Sequence, residues 1–137
     1  MVNLFTYGSL MCSDIMLHVS GQAPENNRAY LDGYFCSQLQ TEPYPAIVPQ
    51  VGDQVEGKIY FDLDTTAINK LDTFEGEYYT RETVRVLSEN KEPVTAMTYV
   101  IKPQYYHLLT KTPWSFKDFL HSGKQIFLAQ YVGFSKI

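Results

Sequence analysis

The sequence feature that most restricts the fold is a series of β-rich stretches interrupted by only a few short helical segments. Stretches that favour strands cover residues 2–6, 27–37, 44–49, 54–61, 79–88 and 93–101. Val51, Gly52 and Asp53 are predicted to form a turn between the third and fourth of them. Strands and helices do not alternate regularly, as they would in a doubly wound parallel sheet. The order therefore predicts an α+β domain with a strongly curved or closed sheet.

The clearest helical pattern covers residues 65–75. Its apolar side chains recur at helical spacing, and Asp64 with the threonines that follow it offers oxygens to cap the first turn. Gly76 is a typical residue to end such a helix. We therefore predict a helix that begins at residue 65 and ends at residue 75.

Two shorter helices are predicted elsewhere. One covers residues 12–19, with Ser13 as its capping residue. The other covers residues 115–121, with its aromatic residues and Leu120 facing inward. The end of the chain, residues 124–137, fits either a helix or a strand.

Length and charge indicate one small domain that does not bind nucleic acid. The chain has 137 residues, 45% of them hydrophobic, so we expect a single domain over residues 1–137 with one core. The chain has 11 basic and 15 acidic residues, and its formal net charge is −4. The basic residues are scattered and form no stripe that could neutralise phosphates. We therefore expect no nucleic-acid partner.

The cysteine content and the apolar pattern favour a soluble, cytoplasmic protein. Cys12 and Cys36 could form at most one disulfide, whereas small secreted domains normally carry more, so reduced thiols are expected. The N-terminal residues lack the basic and apolar regions of a secretory signal. No stretch of the chain reaches the 18 apolar residues that a membrane span needs. We therefore expect no membrane association.

A first candidate for chemistry is the segment Tyr7-Gly8-Ser9-Leu10, between the first strand and the first helical segment. Glycine allows a sharp turn here, and unpaired backbone N–H groups ahead of a helix form a concave site for anions. One glycine is too few for a dinucleotide fingerprint, so a small carboxylate suits this turn better than a nucleotide. The residues alone also allow an ordinary strand-to-helix turn.

A second candidate is Glu75, in the last turn of the helix predicted over residues 65–75. Partial negative charge on the final carbonyl groups disfavours a carboxylate there. That field, with shielding by Phe74 and nearby tyrosines, is expected to raise the pKa of Glu75 towards neutrality. Such a carboxyl group can both accept and donate a proton at cellular pH. The alternatives are a solvated surface acid and, for Arg81, a surface ion pair with Asp72, Glu75 or Glu77.

Other residues give weaker indications of a site. In the segment YPAIVP, residues 44–49, prolines hold Tyr44 rigidly, which suits either a pocket wall or an edge strand. The three histidines are far apart in sequence and lack metal-ligand spacing, so no metal site is expected. Cys12 follows the YGSL turn, where a helix N-terminus could lower its pKa. Acyl transfer by Cys12 with a histidine is therefore an alternative chemistry.

Taken together, YGSL, YPAIVP and FEGEYYTR, in this order within one small domain, resemble the gamma-glutamyl cyclotransferase-like family, also called the avirulence-induced-gene-like family. The resemblance covers residues 2–101. It implies a small mixed, mainly antiparallel β-barrel, flanked by a few short helices and enclosing one pocket. It also implies that no metal or organic cofactor is needed.

The resemblance further implies roles for individual residues. Glu75 would be the catalytic acid, and Tyr7, Gly8, Ser9 and Leu10 would bind the glutamyl end of a small γ-glutamyl substrate. The implied reaction releases 5-oxoproline from a γ-glutamyl amide by attack of the substrate's own α-amine.

Three tyrosines and the end of the chain would line the far side of the pocket, where the leaving group lies: Tyr44, Tyr78, Tyr79 and residues of the tail. The alternative from another functional class is a non-catalytic domain that binds a small molecule in the same pocket. In that case Glu75 would serve only as an ion-pair partner.

Overall fold

A computed structural model of the chain describes residues 1–40, 42 and 44–125. The strands are β1 (Val2–Thr6), β2 (Asn26–Leu39), β3 (Pro45–Leu63), β4 (Tyr79–Ser88), β5 (Pro93–Ile101) and β6 (Leu109–Pro113). The helices are α1 (Ser13–Ser20), α2 (Thr65–Glu75) and α3 (Phe116–Asp118), which continues as a wider π-type turn over Phe119–Gly123. Short 3-10 turns cover Ser9–Met11, Gly76–Tyr78 and Pro103–Leu108.

The sheet closes into a barrel of five strands. The neighbours run in the order β3-β1-β5-β4-β2, and β2 pairs again with β3, which closes the ring. The pairing of β1 with β5 is parallel and all the others are antiparallel. β6 pairs with the end of β2 beyond β4, as an additional strand. The predicted α+β fold with a small mixed, mainly antiparallel β-barrel is therefore confirmed.

Alternating side chains divide the apolar residues into two clusters. One consists of strand residues, such as Phe5, Ile59 and Val100, together with Tyr7 just after β1, and it fills the barrel. The other joins the outer face of the strands to the helices. Leu4 and Tyr60 belong to this second cluster, whereas the residues next to them in sequence, Phe5 and Ile59, belong to the first. Because neighbouring residues of a strand point to opposite faces, each of these strands is buried on both sides. The helices therefore pack firmly against one side of the barrel.

Helix α2 begins and ends at the predicted residues. The Asp64 carboxylate accepts a 2.8 Å hydrogen bond from the backbone N–H of Ala67, which satisfies one of the free donors of the first turn. Gly76 follows the helix with φ = +78°, a conformation that residues with a side chain rarely adopt. α2 therefore has a fixed length, and its last residue, Glu75, has a fixed place on the barrel.

Several local predictions differ from the structure. Residues 50–53 form a bulge opposite Gly33 within one continuous strand β3, and no turn separates two strands there. Cys12, and not Ser13, precedes α1 as its capping residue. In the third helical region Leu120 is 50% exposed, while Phe119 is buried.

Other parts of the chain were either missed or lie outside the described residues. The sequence pattern did not predict β6, because it depends on pairing with the distant strand β2. Of the end of the chain, 124–137, only residues 124 and 125 are described. Within the described part of the chain, no helix is long and apolar enough to cross a membrane.

Candidate active site

A pocket lies where β1 leads into the YGSL segment and where α2 ends. It contains about 470 Å³ of empty space, part of which is open to solvent. The lining residues are Phe5, Thr6, Tyr7, Gly8, Ser9, Leu10, Tyr44, Pro45, Phe74, Glu75, Tyr79 and Tyr99. Among the described residues that line the pocket, Glu75 is the only acid, and none is basic. The fold therefore brings the residues predicted for binding and for catalysis to one cavity.

Glu75 reaches the pocket because it is the last residue of α2. Within the described residues, its carboxylate has no hydrogen bond or ion pair with another protein group. Burial, and secondarily the negative charge of Asp72, raise the pKa of Glu75 to about 8. The direction of this shift agrees with the sequence prediction, which expected shielding by neighbouring aromatic residues together with the field of the helix carbonyl groups. Burial is the larger cause in the structure, and the sequence analysis did not anticipate the contribution of Asp72. A carboxyl group in this state can take up and release a proton near neutral pH.

The nearby Asp72 has strong partners. Its carboxylate accepts hydrogen bonds of 2.9 and 3.3 Å from the guanidinium of Arg81, and the Tyr99 hydroxyl donates a third of 2.7 Å. The ion pair that the sequence predicted for Arg81 therefore forms with Asp72 and not with Glu75. As a result, the two carboxylates, three residues apart on α2, have different electrostatic environments.

The YGSL segment forms a tight turn beside the pocket. The backbone N–H of Met11 donates to the Gly8 carbonyl at 2.9 Å, and that of Cys12 donates to the Ser9 carbonyl at 3.0 Å. The first N–H groups of such a turn have no partner inside it, so those of Ser9 and Leu10 are suited to a bound anion. The buried Tyr60 hydroxyl donates to the Leu10 carbonyl at 2.9 Å and holds the turn in place.

Tyrosine side chains form rigid walls of the pocket. The hydroxyl of Tyr7 donates to the Tyr99 carbonyl at 2.6 Å, and the hydroxyl of Tyr79 donates to the Pro45 carbonyl at 2.8 Å. Burial raises the pKa of Tyr7 well above its ordinary value, so its hydroxyl stays protonated. These two phenols are therefore used to shape the pocket, and Tyr44 adds a partly buried ring to the wall.

Sequence reasoning did not identify every residue of the site. Tyr99 and Phe5 line the pocket but carry no local signal, because only the closure of the barrel brings β5 and β1 beside α2. Tyr78, which we expected at the far side of the pocket, does not line it. Its ring packs against that of Tyr105, with centroids 4.8 Å apart.

The cysteines do not fit the alternative thiol chemistry. Cys12 is buried and does not line the pocket. Burial raises the pKa of its thiol, whereas we had predicted that a helix N-terminus could lower it. Cys36 lines a separate surface cavity, and burial raises its pKa to about 12. Within the described residues, no group of three or more His, Cys, Asp or Glu side chains is arranged to hold a metal ion.

Comparison with known proteins adds an independent observation. The family model described as "Gamma-glutamyl cyclotransferase, AIG2-like" matches residues 4–116. AIG2-like protein D of Arabidopsis thaliana is 35% identical over 102 residues, which are 73% of this chain and 67% of that protein. The resemblance inferred from the three motifs is therefore confirmed.

Solved structures give the same result for the fold. The solution structure of another Arabidopsis thaliana protein superposes with a TM-score of 0.71 and 27% identity, over 98% of this chain and 91% of that one. A structure named gamma-glutamyl cyclotransferase superposes with a TM-score of 0.66 and 20% identity, over 78% of this chain and 75% of that one. The barrel with its flanking helices is thus a fold that these proteins share.

Proposed function

The chain belongs to the gamma-glutamyl cyclotransferase, AIG2-like family, and we propose that it releases 5-oxoproline from a γ-glutamyl amide, with Glu75 as general base and then general acid. Family membership supports cyclotransferase-type activity in general. The observation that carries the specific proposal is the pairing, in one pocket, of an unpaired partly buried acid with a turn of free backbone donors. The chemistry needs no metal or cofactor, because the substrate supplies its own nucleophile.

The reaction requires three proton transfers. The Glu75 carboxylate first takes a proton from the α-ammonium group of the substrate, which frees the nitrogen lone pair. The amine then attacks the γ-carbonyl carbon, and a C–N bond forms that closes a five-membered ring. The amide C–N bond breaks as Glu75 returns its proton to the departing nitrogen. The new ring nitrogen then gives up its second proton to solvent, to which the pocket is partly open. The products are 5-oxoproline and a free amine.

The pocket would contribute orientation as well as proton transfer. Backbone N–H groups of Ser9 and Leu10 would bind the α-carboxylate or the carbonyl oxygen as it gains charge. The tyrosine walls, including Tyr44 and Tyr79, would hold the chain folded back on itself. Such an intramolecular arrangement can lower the barrier by up to about 7–11 kcal/mol, since the reacting groups are already together. Because the attacking amine belongs to the substrate, ring closure needs no nucleophile from the protein.

We also propose that the protein acts in the cytoplasm. Both cysteines are free, and thiols persist in the reducing cytoplasm. We therefore expect the substrate to be a cytoplasmic γ-glutamyl amide, either of an amino acid or of an amine.

The test is a panel of γ-glutamyl amino acids and γ-glutamylamines, with 5-oxoproline release measured for wild type, Glu75→Gln and Glu77→Gln. Glu77 is a matched control, because it is an exposed acid two residues away that does not line the pocket. We expect release to fall by about 10²–10⁴-fold in Glu75→Gln and to be retained in Glu77→Gln.

Two results would contradict the proposal. Saturable binding without release from any substrate would identify a non-catalytic binding domain. Activity that is lost in Cys12→Ala but retained in Glu75→Gln would identify thiol chemistry.

A further inference from the structure

Asp72 connects three elements around the pocket. It lies on α2 one turn before Glu75, and it binds Arg81 of β4 and the hydroxyl of Tyr99 of β5. Arg81 and Tyr99 are direct partners across the two strands. Charged bidentate pairs of this kind are geometrically specific. Asp72 therefore fixes the end of α2 against the strands that form the pocket wall.

The side chain of Arg81 lies on the same face of β4 as a residue that lines the pocket. It is two residues after Tyr79 on β4, so the two side chains point to the same face of the strand. Tyr79 lines the pocket, as does Tyr99 opposite Arg81. Residues three apart on a helix are neighbours on its surface, so a guanidinium released from Asp72 could pair with the carboxylate of Glu75 instead. In the structure, however, both of its hydrogen bonds go to Asp72.

We propose that Asp72 is a positioning residue for Glu75: by binding Arg81 and Tyr99 it keeps the guanidinium away from the Glu75 carboxylate and leaves that carboxylate free for substrate. This inference deepens the proposed function and rests on it for its catalytic meaning. Among the described residues that line the pocket, the other titratable groups are the phenols of Tyr7 (after β1), Tyr44 (before β3), Tyr79 (β4) and Tyr99 (β5). Besides burial, the charge of Asp72 raises the pKa of Glu75, and Arg81 is the cation that pairs with this charge.

The inference predicts opposite effects for the two members of the pair. Asp72→Asn removes a like charge and releases Arg81, so both changes favour ionised Glu75 and its pKa falls. Arg81→Met leaves the Asp72 charge uncompensated, so the pKa of Glu75 rises. A purely structural role of the pair would not move the two values in opposite directions. In the double variant, the pKa returns towards that of wild type.

The experiment is a ¹³C NMR titration of the full chain with its glutamate side-chain carboxyl carbons labelled. The Glu75 signal is assigned as the one that Glu75→Gln removes. We expect its midpoint to fall by about one pH unit or more in Asp72→Asn and to rise in Arg81→Met. Glu56→Gln and Arg28→Met are matched controls, because they disrupt an exposed Arg–carboxylate pair elsewhere, with 3.8 Å between the charged atoms. The controls should leave the Glu75 midpoint unchanged.

Shifts in the same direction for both variants, or no shift in either, would overturn the inference. If Asp72→Asn does not fold, Arg81→Met decides alone, and a midpoint that stays or falls overturns the inference. The titration uses no substrate, so it can succeed or fail independently of 5-oxoproline release. Where the wild type is active, the pH at which kcat/KM is half-maximal should move with the NMR midpoint in each variant.

Discussion

The hydroxyl of Tyr7 donates a 2.6 Å hydrogen bond to the backbone carbonyl of Tyr99, a residue 92 positions later in the chain. This bond lies beside the parallel contact of β1 with β5, where Leu4 and Met97 are the paired residues. The hydroxyl of Thr98 adds a 3.0 Å bond to the Phe5 carbonyl in the same region. Side-chain hydrogen bonds thus reinforce the one parallel pairing of the barrel, and they do so at the wall of the pocket.

Replacement of Tyr7 by phenylalanine should therefore destabilise the protein more than it impairs binding. The variant leaves the buried Tyr99 carbonyl without this donor, at an expected cost of about 1–3 kcal/mol in the free energy of unfolding. Urea denaturation measures that loss, with Tyr106→Phe as the control because Tyr106 is 41% exposed. A large loss of kcat with unchanged stability would instead show that the Tyr7 hydroxyl takes part in the reaction.

Activity should depend on pH through Glu75. Since burial and Asp72 raise the pKa of Glu75 to about 8, the carboxylate base is scarce at lower pH. We expect kcat/KM to rise with pH up to about 8, by roughly tenfold per unit at the acidic end. Rates of 5-oxoproline release between pH 5 and pH 9 test this. An inflection near the ordinary pKa of glutamate, with a plateau above pH 6, would contradict the assignment.

The stability of the protein should also depend on pH through Glu75. A group whose pKa is raised on folding contributes stability that is present below its unfolded pKa and is lost as pH rises through its folded pKa. For Glu75 this window extends from about 4.5 to about 8. Glu75→Gln is neutral at every pH, so its melting temperature relative to wild type should increase across that window. Differential scanning calorimetry at several pH values measures the difference, and a constant difference would disprove the linkage.

The sequence predicted those features that depend on residues close together in the chain. The helix over residues 65–75 follows from a cap at Asp64, apolar residues at helical spacing and Gly76, all within a dozen neighbouring residues. The place of Glu75 at the end of that helix follows from the same pattern. The three motifs together then indicated the family, and with it the barrel.

What sequence could not predict depends on contacts between distant segments. The pKa of Glu75 is raised mainly by burial in a pocket that exists only when the barrel closes, and no local pattern reports that burial. Tyr99 enters the site from β5 for the same reason. Residues 51–53 have the composition of a turn, yet β2 pairs with β3 on both sides of them, and the local preference appears as a bulge.

The close contact between Gly8 and Pro45 gives a prediction about the binding turn. A Cβ atom on Gly8 would lie 2.9 Å from Cδ of Pro45, which is closer than side chains normally approach. Gly8→Ala should therefore push the YGSL turn away from the neighbouring wall and displace the N–H groups of Ser9 and Leu10. Since small misplacements of binding groups reduce turnover strongly, we expect kcat/KM to fall by about tenfold or more.

A second substitution separates this steric effect from a general loss of structure. Pro45→Ala removes the ring atoms that the new methyl group would meet, so Gly8→Ala/Pro45→Ala should recover much of the kcat/KM that Gly8→Ala loses. Thermal melts of the wild type and of the three variants show whether folding is preserved throughout. If the loss of kcat/KM in the double variant equals the combined losses of the two single variants, the contact between these residues does not position the turn. Recovery, in contrast, would show that the fit of Gly8 against the Pro45 ring sets the geometry of the backbone donors that we propose bind the substrate.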